Sequence, residues 1–338
     1  MSEPSLSILL PTYNGERFLR EQVNSILAQQ FSDWELVICD DGSNDSTRAL
    51  TADLASFDRR IRIIPTTGNR GQRRRLQELL GAARADLISI ADQDDVWAPD
   101  KLKALLGSLG TAALAFGSSW LIDAAGRPLG RTLLDGLPPP PTSEHRLVYL
   151  FRPAVSAHAM IARRSLLTPA SFARAQPFDW LQSLDAAFSA GAIYVSDAKT
   201  MHRMHETNQH NGHNKDIKSG KLSFRPRLIR EHLSSLAAQR FTFVSNAEHL
   251  ARSEIIPLET SQAFSAVYQR CRHEWYTKNS RPRWSNDRLR RDLLRILSPL
   301  AGSRDDLSYF EGQIESVTQN ATHPKRLYKL ITGSLQVI

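Results

Sequence analysis

An α/β fold with a mostly parallel sheet, followed by a basic helical extension, is what this 338-residue sequence predicts. Three observations carry the prediction. Short apolar runs alternate with stretches of helical periodicity, which is the pattern of βαβ units. Each early apolar run stops at a cluster of polar residues. Finally, the charge is unevenly placed: residues 1–214 hold 22 Lys/Arg against 23 Asp/Glu, whereas residues 215–338 hold 21 against 12. The break places a catalytic α/β domain over residues 1–215 and a basic helical extension over 216–338.

The elements follow in order. Leu6–Leu10 reads as a buried strand ended by Pro11-Thr12-Tyr13-Asn14-Gly15, and 16–29 reads as a helix with Phe18, Leu19, Val23 and Ile26 on one face. Leu36–Cys39 is a second strand, closing at Asp40-Asp41-Gly42-Ser43; 45–54 is helical, 61–64 is strand and 72–85 is helical again. Leu87–Ala91 is a fourth strand and stops at Asp92. Ligands of parallel sheets bind outside the carboxyl ends of the strands, which is where these polar clusters fall. Further on, 113–120, 154–161 and 193–195 read as strands, 101–109 and 180–190 as helices, and 138–141 as a loop. Basic amphipathic helices follow at 222–240, 262–275, 286–297 and 305–317.

Composition excludes several classes. At 41% apolar residues the chain can build a core. No apolar run approaches the roughly 18 residues of a membrane-spanning helix, and the acidic start Met1-Ser2-Glu3-Pro4 is unlike a signal peptide, so a cytoplasmic protein is expected. Cys39 and Cys271 lie far apart without CxxC spacing, which argues against a disulfide framework or a thiolate metal site. The net charge of +8 fits an anionic partner. No recognition motif points to nucleic acid. Arg next to aromatic and aliphatic residues, as in Phe224-Arg225-Pro226-Arg227-Leu228 and Arg281-Pro282-Arg283-Trp284, fits either an anionic membrane surface or a solvated helical cap.

Asp92-Gln93-Asp94-Asp95-Val96-Trp97 puts three carboxylates into four residues after a strand. Such crowding is self-repulsive unless a cation offsets it, and oxygen-rich sites of this kind suit Mg²⁺ or Mn²⁺ bridging to a diphosphate. A helix cap before 101–109 is the plainer alternative.

Taken in order, Pro11-Thr12-Tyr13-Asn14, Asp40-Asp41-Gly42-Ser43, Asn69-Arg70-Gly71 and Asp92-Gln93-Asp94-Asp95-Val96-Trp97 resemble family 2 glycosyltransferases, and in particular their bacterial rhamnosyltransferase-like branch, over about residues 5–215. The resemblance implies a GT-A fold, a dTDP- or UDP-sugar donor, a divalent metal, and transfer with inversion onto a saccharide or lipid-linked glycan of a bacterial surface polysaccharide. It gives Pro11, Thr12, Tyr13, Asn14, Asn69 and Gly71 to the donor pocket. It makes Asp41 the acceptor of a hydrogen bond from the base, with Asp40 supporting the turn; a turn and helix cap is the alternative. Asp92 would face the ribose and the metal, and Asp94 with Asp95 would hold the ion. Arg75, within Arg73-Arg74-Arg75, is open between donor phosphate and a solvated helix face.

Phe178-Asp179-Trp180-Leu181 resembles the family segment that supplies the base, with Phe where His is usual, and makes Asp179 the catalytic residue. Helix capping is its alternative role. His202-Arg203-Met204-His205-Glu206-Thr207-Asn208 resembles the family's Arg-x-His-x-x-Asn segment. It implies that Arg203 holds diphosphate and that His205 binds metal or diphosphate, while His202, His210 and His213 read as a polar loop whose three imidazoles could bind adventitious metal. Two other readings stay open: a sugar nucleotidyltransferase, although Pro11–Glu16 lacks a Gly-rich basic triphosphate loop, and a non-catalytic protein on the same fold.

Overall fold

The computed structural model describes residues 3–135, 143–151, 154–168, 172, 177–206, 236–276 and 287–318. The expected boundary at 215/216, the loop at 138–141, His210, His213, most of the helix at 222–240 and the Arg281–Trp284 motif lie outside these. Contacts divide the chain into two units: residues 1–140, 154–186 and 190–224, and residues 141–153, 187–189 and 225–338.

The first unit carries a nine-stranded sheet. Its early part is β1 (Leu6–Thr12), α1 (Leu19–Leu27), β2 (Trp34–Asp40), α2 (Thr47–Phe57), β3 (Ile61–Ile63), α3 (Gln72–Ala82) and β4 (Leu87–Ile90). Every residue of β1 and β2 is buried, as expected of parallel strands covered on both faces. β1 pairs in parallel with β2 and with β4, and β2 with β3. Leu6, Ile8, Leu10, Val23, Ile26, Leu36 and Ile38 pack in one core with Leu102 and Leu105. Burying each such side chain contributes about 1.5–3 kcal/mol. Thr12 stands opposite Asp40 and Leu9 opposite Ile90, so the three strands release their chains side by side.

The rest of the sheet is mixed rather than parallel throughout. After β4 come β5 (Val96–Trp97), α4 (Lys101–Leu109), β6 (Leu114–Ile122), β7 (Pro128–Thr132), β8 (Met160–Arg163), α5 (Phe178–Ala187) and β9 (Ala192–Arg203). The strand order is β3-β2-β1-β4-β8-β6-β9-β5, with β7 on β6. β8 runs antiparallel to β4 and β6, and β5 antiparallel to β9, while β6 and β9 are parallel. β5 was invisible to periodicity because two residues carry none, yet its pairing of Val96 with Met201 and Trp97 with Thr200 brings the acidic loop to the end of β9.

Two expected strands change. The run at 154–161 contains a 3₁₀ turn at Ala157–Ala159 and becomes strand only at Met160, because His158 turns towards Asp92. The run at 193–195 extends to Arg203; exposed Ser196 and Asp197 hid its continuation. They sit in an irregularity where Phe116 pairs Tyr194 but Ser118 pairs Lys199. The intervening Gly117 is pressed against Ala198, whose carbonyl a Cβ would overlap.

The second unit contains α6 (Leu236–Ala251), α7 (Leu258–Tyr276), α8 (Asp287–Leu297) and α9 (Arg304–Thr318). Phe151 stacks on Phe243 at 5.2 Å and leans on Phe310 at 6.1 Å. The buried Asp306 carboxylate accepts the amides of Leu147 and Gly302. Among the described residues, no helix is long and apolar enough to cross a membrane.

Candidate active site

Four loops meet where the parallel strands end, and their backbones are bonded by one another's side chains. Gln93 Oε1 accepts the Tyr13 amide at 2.9 Å and its Nε2 donates to the Tyr13 carbonyl at 3.0 Å. Asn14, with φ +48°, donates its amide to Ser43 Oγ and accepts the Asn44 amide on its own side-chain oxygen. This left-handed conformation suits Asn. Gly42, with φ +84°, lies so close to the 68–69 backbone that a Cβ would stand 3.1 Å from the Asn69 nitrogen. Thr12 is buried, Tyr13 is exposed, and Asn69 is exposed beside Gly71. The predicted donor-pocket residues Pro11, Thr12, Tyr13, Asn14, Asn69 and Gly71 therefore share one rim with Asp40, Asp41 and Asp92.

Asp40 accepts the amides of Gly42 and Ser43, the Ser43 hydroxyl and Arg48 Nε at 2.7 Å. Burial alone would raise its pKa, but these donors hold it below the usual carboxylate value. Asp41 Oδ1 accepts the Arg70 amide at 2.7 Å and Arg75 Nε at 2.8 Å, and its Oδ2 accepts the Gly71 amide at 2.9 Å. Arg75 is 1% exposed and also donates to Glu78 Oε2 at 2.7 Å and to the Thr67 and Gly68 carbonyls. Arg75 is therefore an internal brace for the loop at 66–71, not a group facing donor phosphate.

The four expected metal ligands do not gather at one point. Asp94 Oδ2 meets His205 Nε2 at 2.7 Å, and the His205 ring leans on Phe18 at 4.7 Å. The Asp95 carboxylate turns inwards and is fully buried; its Oδ1 meets His202 Nδ1 at 2.9 Å and accepts the Arg203 amide at 3.1 Å. Burial opposes ionisation of Asp95, but the neighbouring His202 and His158 outweigh it and lower its pKa; reciprocally, Asp95 raises that of His202 against the effect of burial. Asp92 sits between the two, with Oδ2 3.1 Å from His158 Nδ1 and Oδ1 3.5 Å from Gln72 Nε2.

Arg203 also departs from expectation. Its guanidinium is 1% exposed and is spent on the Asp94 carbonyl at 2.8 Å, the carbonyls of Asp123 and Ala124, and Glu21 at 2.6 Å, over the Phe18 ring. A planar fork with five donors serves a carbonyl-lined pocket as well as a diphosphate, and charge in the sequence does not tell them apart. Asp179 lies in the first turn of α5, half-buried, accepting the Ala157 amide at 3.3 Å and the Trp180 amide at 2.9 Å. Phe178 packs on Phe172 at 5.0 Å. Asp179 is thus next to the turn that carries His158.

His158 carries no motif in the sequence, and His202, expected in a polar loop, lies at the end of β9. His158 is 6% exposed and bonds Ser119 Oγ through Nε2 at 2.8 Å; its ring stacks on that of His202, 4.7 Å between centroids and 5° from parallel. A lone imidazole inside the apolar run at 154–161 was the available signal. Below it, the buried Lys101 Nζ donates to the His158 carbonyl at 2.6 Å and lies over the Trp97 ring at 3.4 Å. Burial pushes Lys101 well below the usual lysine value, against the pull of Asp95 and Asp92.

Residues 7–168 match the family described as Glycosyl transferase family 2. A putative glycosyltransferase EpsE of Bacillus subtilis is 36% identical over 103 residues, 30% of this chain and 37% of that protein. The Escherichia coli UDP-Glc:alpha-D-GlcNAc-diphosphoundecaprenol beta-1,3-glucosyltransferase WfgD is 32% identical over 103 residues, 30% of this chain and 40% of that one. The chain thus spans well under half the length of these relatives. The crystal structure of S. aureus TarS 1-349 in complex with UDP-GlcNAc superposes with a TM-score of 0.52 at 16% identity, covering 97% of this chain and 92% of that one. The likeness fixes the fold, which is GT-A.

Proposed function

We propose, on the premise that residues 7–168 form a glycosyl transferase family 2 domain, that the chain transfers a sugar from a nucleoside diphosphate donor to a hydroxyl of a glycan acceptor, with inversion. The observation that carries this reading is the meeting of Asp94 with His205 at the strand ends, beside Asp92 and the bonded rim. A carboxylate oxygen and an imidazole nitrogen that converge from β9 and the acidic loop fit Mn²⁺ or Mg²⁺, leaving further positions for water and diphosphate. Asp94 and His205 would hold the ion. When bound, it supplies Lewis-acid charge that offsets the negative charge of the leaving diphosphate.

The remaining roles belong to the chain itself. The rim of Thr12, Tyr13, Asp40, Asp41, Asn69 and Gly71 receives the nucleoside, with Asp41 presented in a fixed orientation by Arg75. Asp92 Oδ1 faces the ribose. The Asp179 carboxylate takes the proton of the acceptor hydroxyl as its oxygen attacks the anomeric carbon, and the nucleoside diphosphate departs on the opposite side. The donor is a UDP- or dTDP-sugar, with L-rhamnose the sugar suggested by the resemblance. The acceptor is a saccharide or lipid-linked glycan of a surface polysaccharide. The diphosphoundecaprenol in the WfgD name favours a lipid-linked acceptor, and the basic residues of 216–338 would then attach the protein peripherally to an anionic cytoplasmic membrane face.

The test is nucleoside diphosphate release with Mn²⁺ and a panel of UDP- and dTDP-sugars and acceptors. Release that disappears in Asp94→Ala, with the melting curve unchanged, is the expected result. Pyrophosphate release from nucleoside triphosphate and sugar phosphate would instead identify a nucleotidyltransferase. Silence with every donor would favour a non-catalytic protein.

A further inference from the structure

We propose that Asp92, Asp95, His158 and His202 form a second cation site, separate from Asp94 and His205, that takes a transition-metal dication of the Zn²⁺ class.

The geometry is that of a ligand set. One ligand atom from each of the four side chains lies within 4.8 Å of the others. Two carboxylate oxygens and two imidazole nitrogens suit a borderline dication such as Zn²⁺, which takes four protein ligands in closed sites. Asp95 is fully buried, and among the described residues its Oδ2 has no hydrogen-bond partner; His158 Nδ1 lies 3.7 Å from it. A buried acceptor left bare carries a desolvation cost, larger when it is charged, that a bound cation would remove.

Both imidazoles turn Nδ1 to the carboxylates, and their rings stack 4.7 Å apart, so the two nitrogens and the two carboxylates converge on one point. Lys101 is close, but its Nζ is committed to the His158 carbonyl and the Trp97 ring. His158 also has the outer partner expected of a metal ligand, since its Nε2 is fixed by Ser119 Oγ at 2.8 Å. The four ligands come from the end of β4, the acidic loop, the turn before β8 and the end of β9, so an ion here would tie four segments together.

The experiment loads the full chain with Zn²⁺ alone, removes loose metal on a desalting column, and measures zinc per chain. The expected result is one retained Zn²⁺ in the wild type and in Asp94→Ala, falling to none in His158→Ala and Asp95→Asn. Loss in Asp94→Ala, retention in both cluster variants, or no retained zinc in the wild type would overturn the proposal. Should the variants fail to fold, Co²⁺ loading of the wild type decides: intense tetrahedral d–d bands support the site, and their absence refutes it. No donor sugar enters the assay, so a protein without transferase activity gives the same answer.

Discussion

Arg75→Met is the perturbation whose outcome the structure specifies most fully. The wild-type guanidinium is 1% exposed and holds Asp41, Glu78 and two loop carbonyls at once. Removing one partner of a buried ion pair costs about 3–5 kcal/mol, because the other charge stays behind. Asp41 would keep the Arg70 and Gly71 amides, so the lower end applies, about 3 kcal/mol. That is roughly a 150-fold loss in the folding equilibrium. Urea unfolding of the full chain, followed by circular dichroism and tryptophan fluorescence, measures it. Arg75→Lys should recover only part, since an ammonium cannot fork to four acceptors. A cost below about 1 kcal/mol, the range of exposed pairs, would refute the brace and return Arg75 to the list of phosphate ligands.

Other outcomes follow from the same contacts. Asp179→Asn should lower kcat by about 10²–10⁴ while the donor KM holds, as measured in steady-state donor titrations. Gly117→Ala should destabilise the protein by at least about 1–3 kcal/mol in thermal melts, because the new methyl group meets the Ala198 carbonyl. Glu35 is buried, which alone would raise its pKa, but Ser7 Oγ, the Arg84 amide and Arg62 outweigh this and lower it below the ordinary 4.5. A depressed folded value means that the stabilisation is present above the unfolded pKa and is lost as pH falls through the folded one. Glu35→Gln should therefore cost stability at pH 7, and the gap to wild type should close under acid conditions; a gap independent of pH would contradict this.

Much of the fold could be read from the sequence because β1 to β4 are runs buried on both faces, and burial writes itself as hydrophobicity. The candidate site is legible in the sequence where it depends on strand ends: the acidic loop, Asp40-Asp41 and Asn69-Gly71 come together. What escaped depends on pairing and direction. β5 is too short to show a period, and β9 is interrupted by polar residues at a bulge. The His158–Asp92 and His202–Asp95 contacts join residues 66 and 107 positions apart, a proximity no local pattern encodes. Charge is visible in a sequence and orientation is not, so nothing local shows that Arg75 and Arg203 turn inwards.

The mutual bonding of the rim loops has a consequence for redesign. Gln93 holds Tyr13, Ser43 holds Asn14, and Asp41 holds Arg70 and Gly71, so each segment is shaped by a residue belonging to another. Grafting a single loop from a relative would strip its neighbours of the side chains that set their conformation. These segments form an inheritable set, to be exchanged together or left alone.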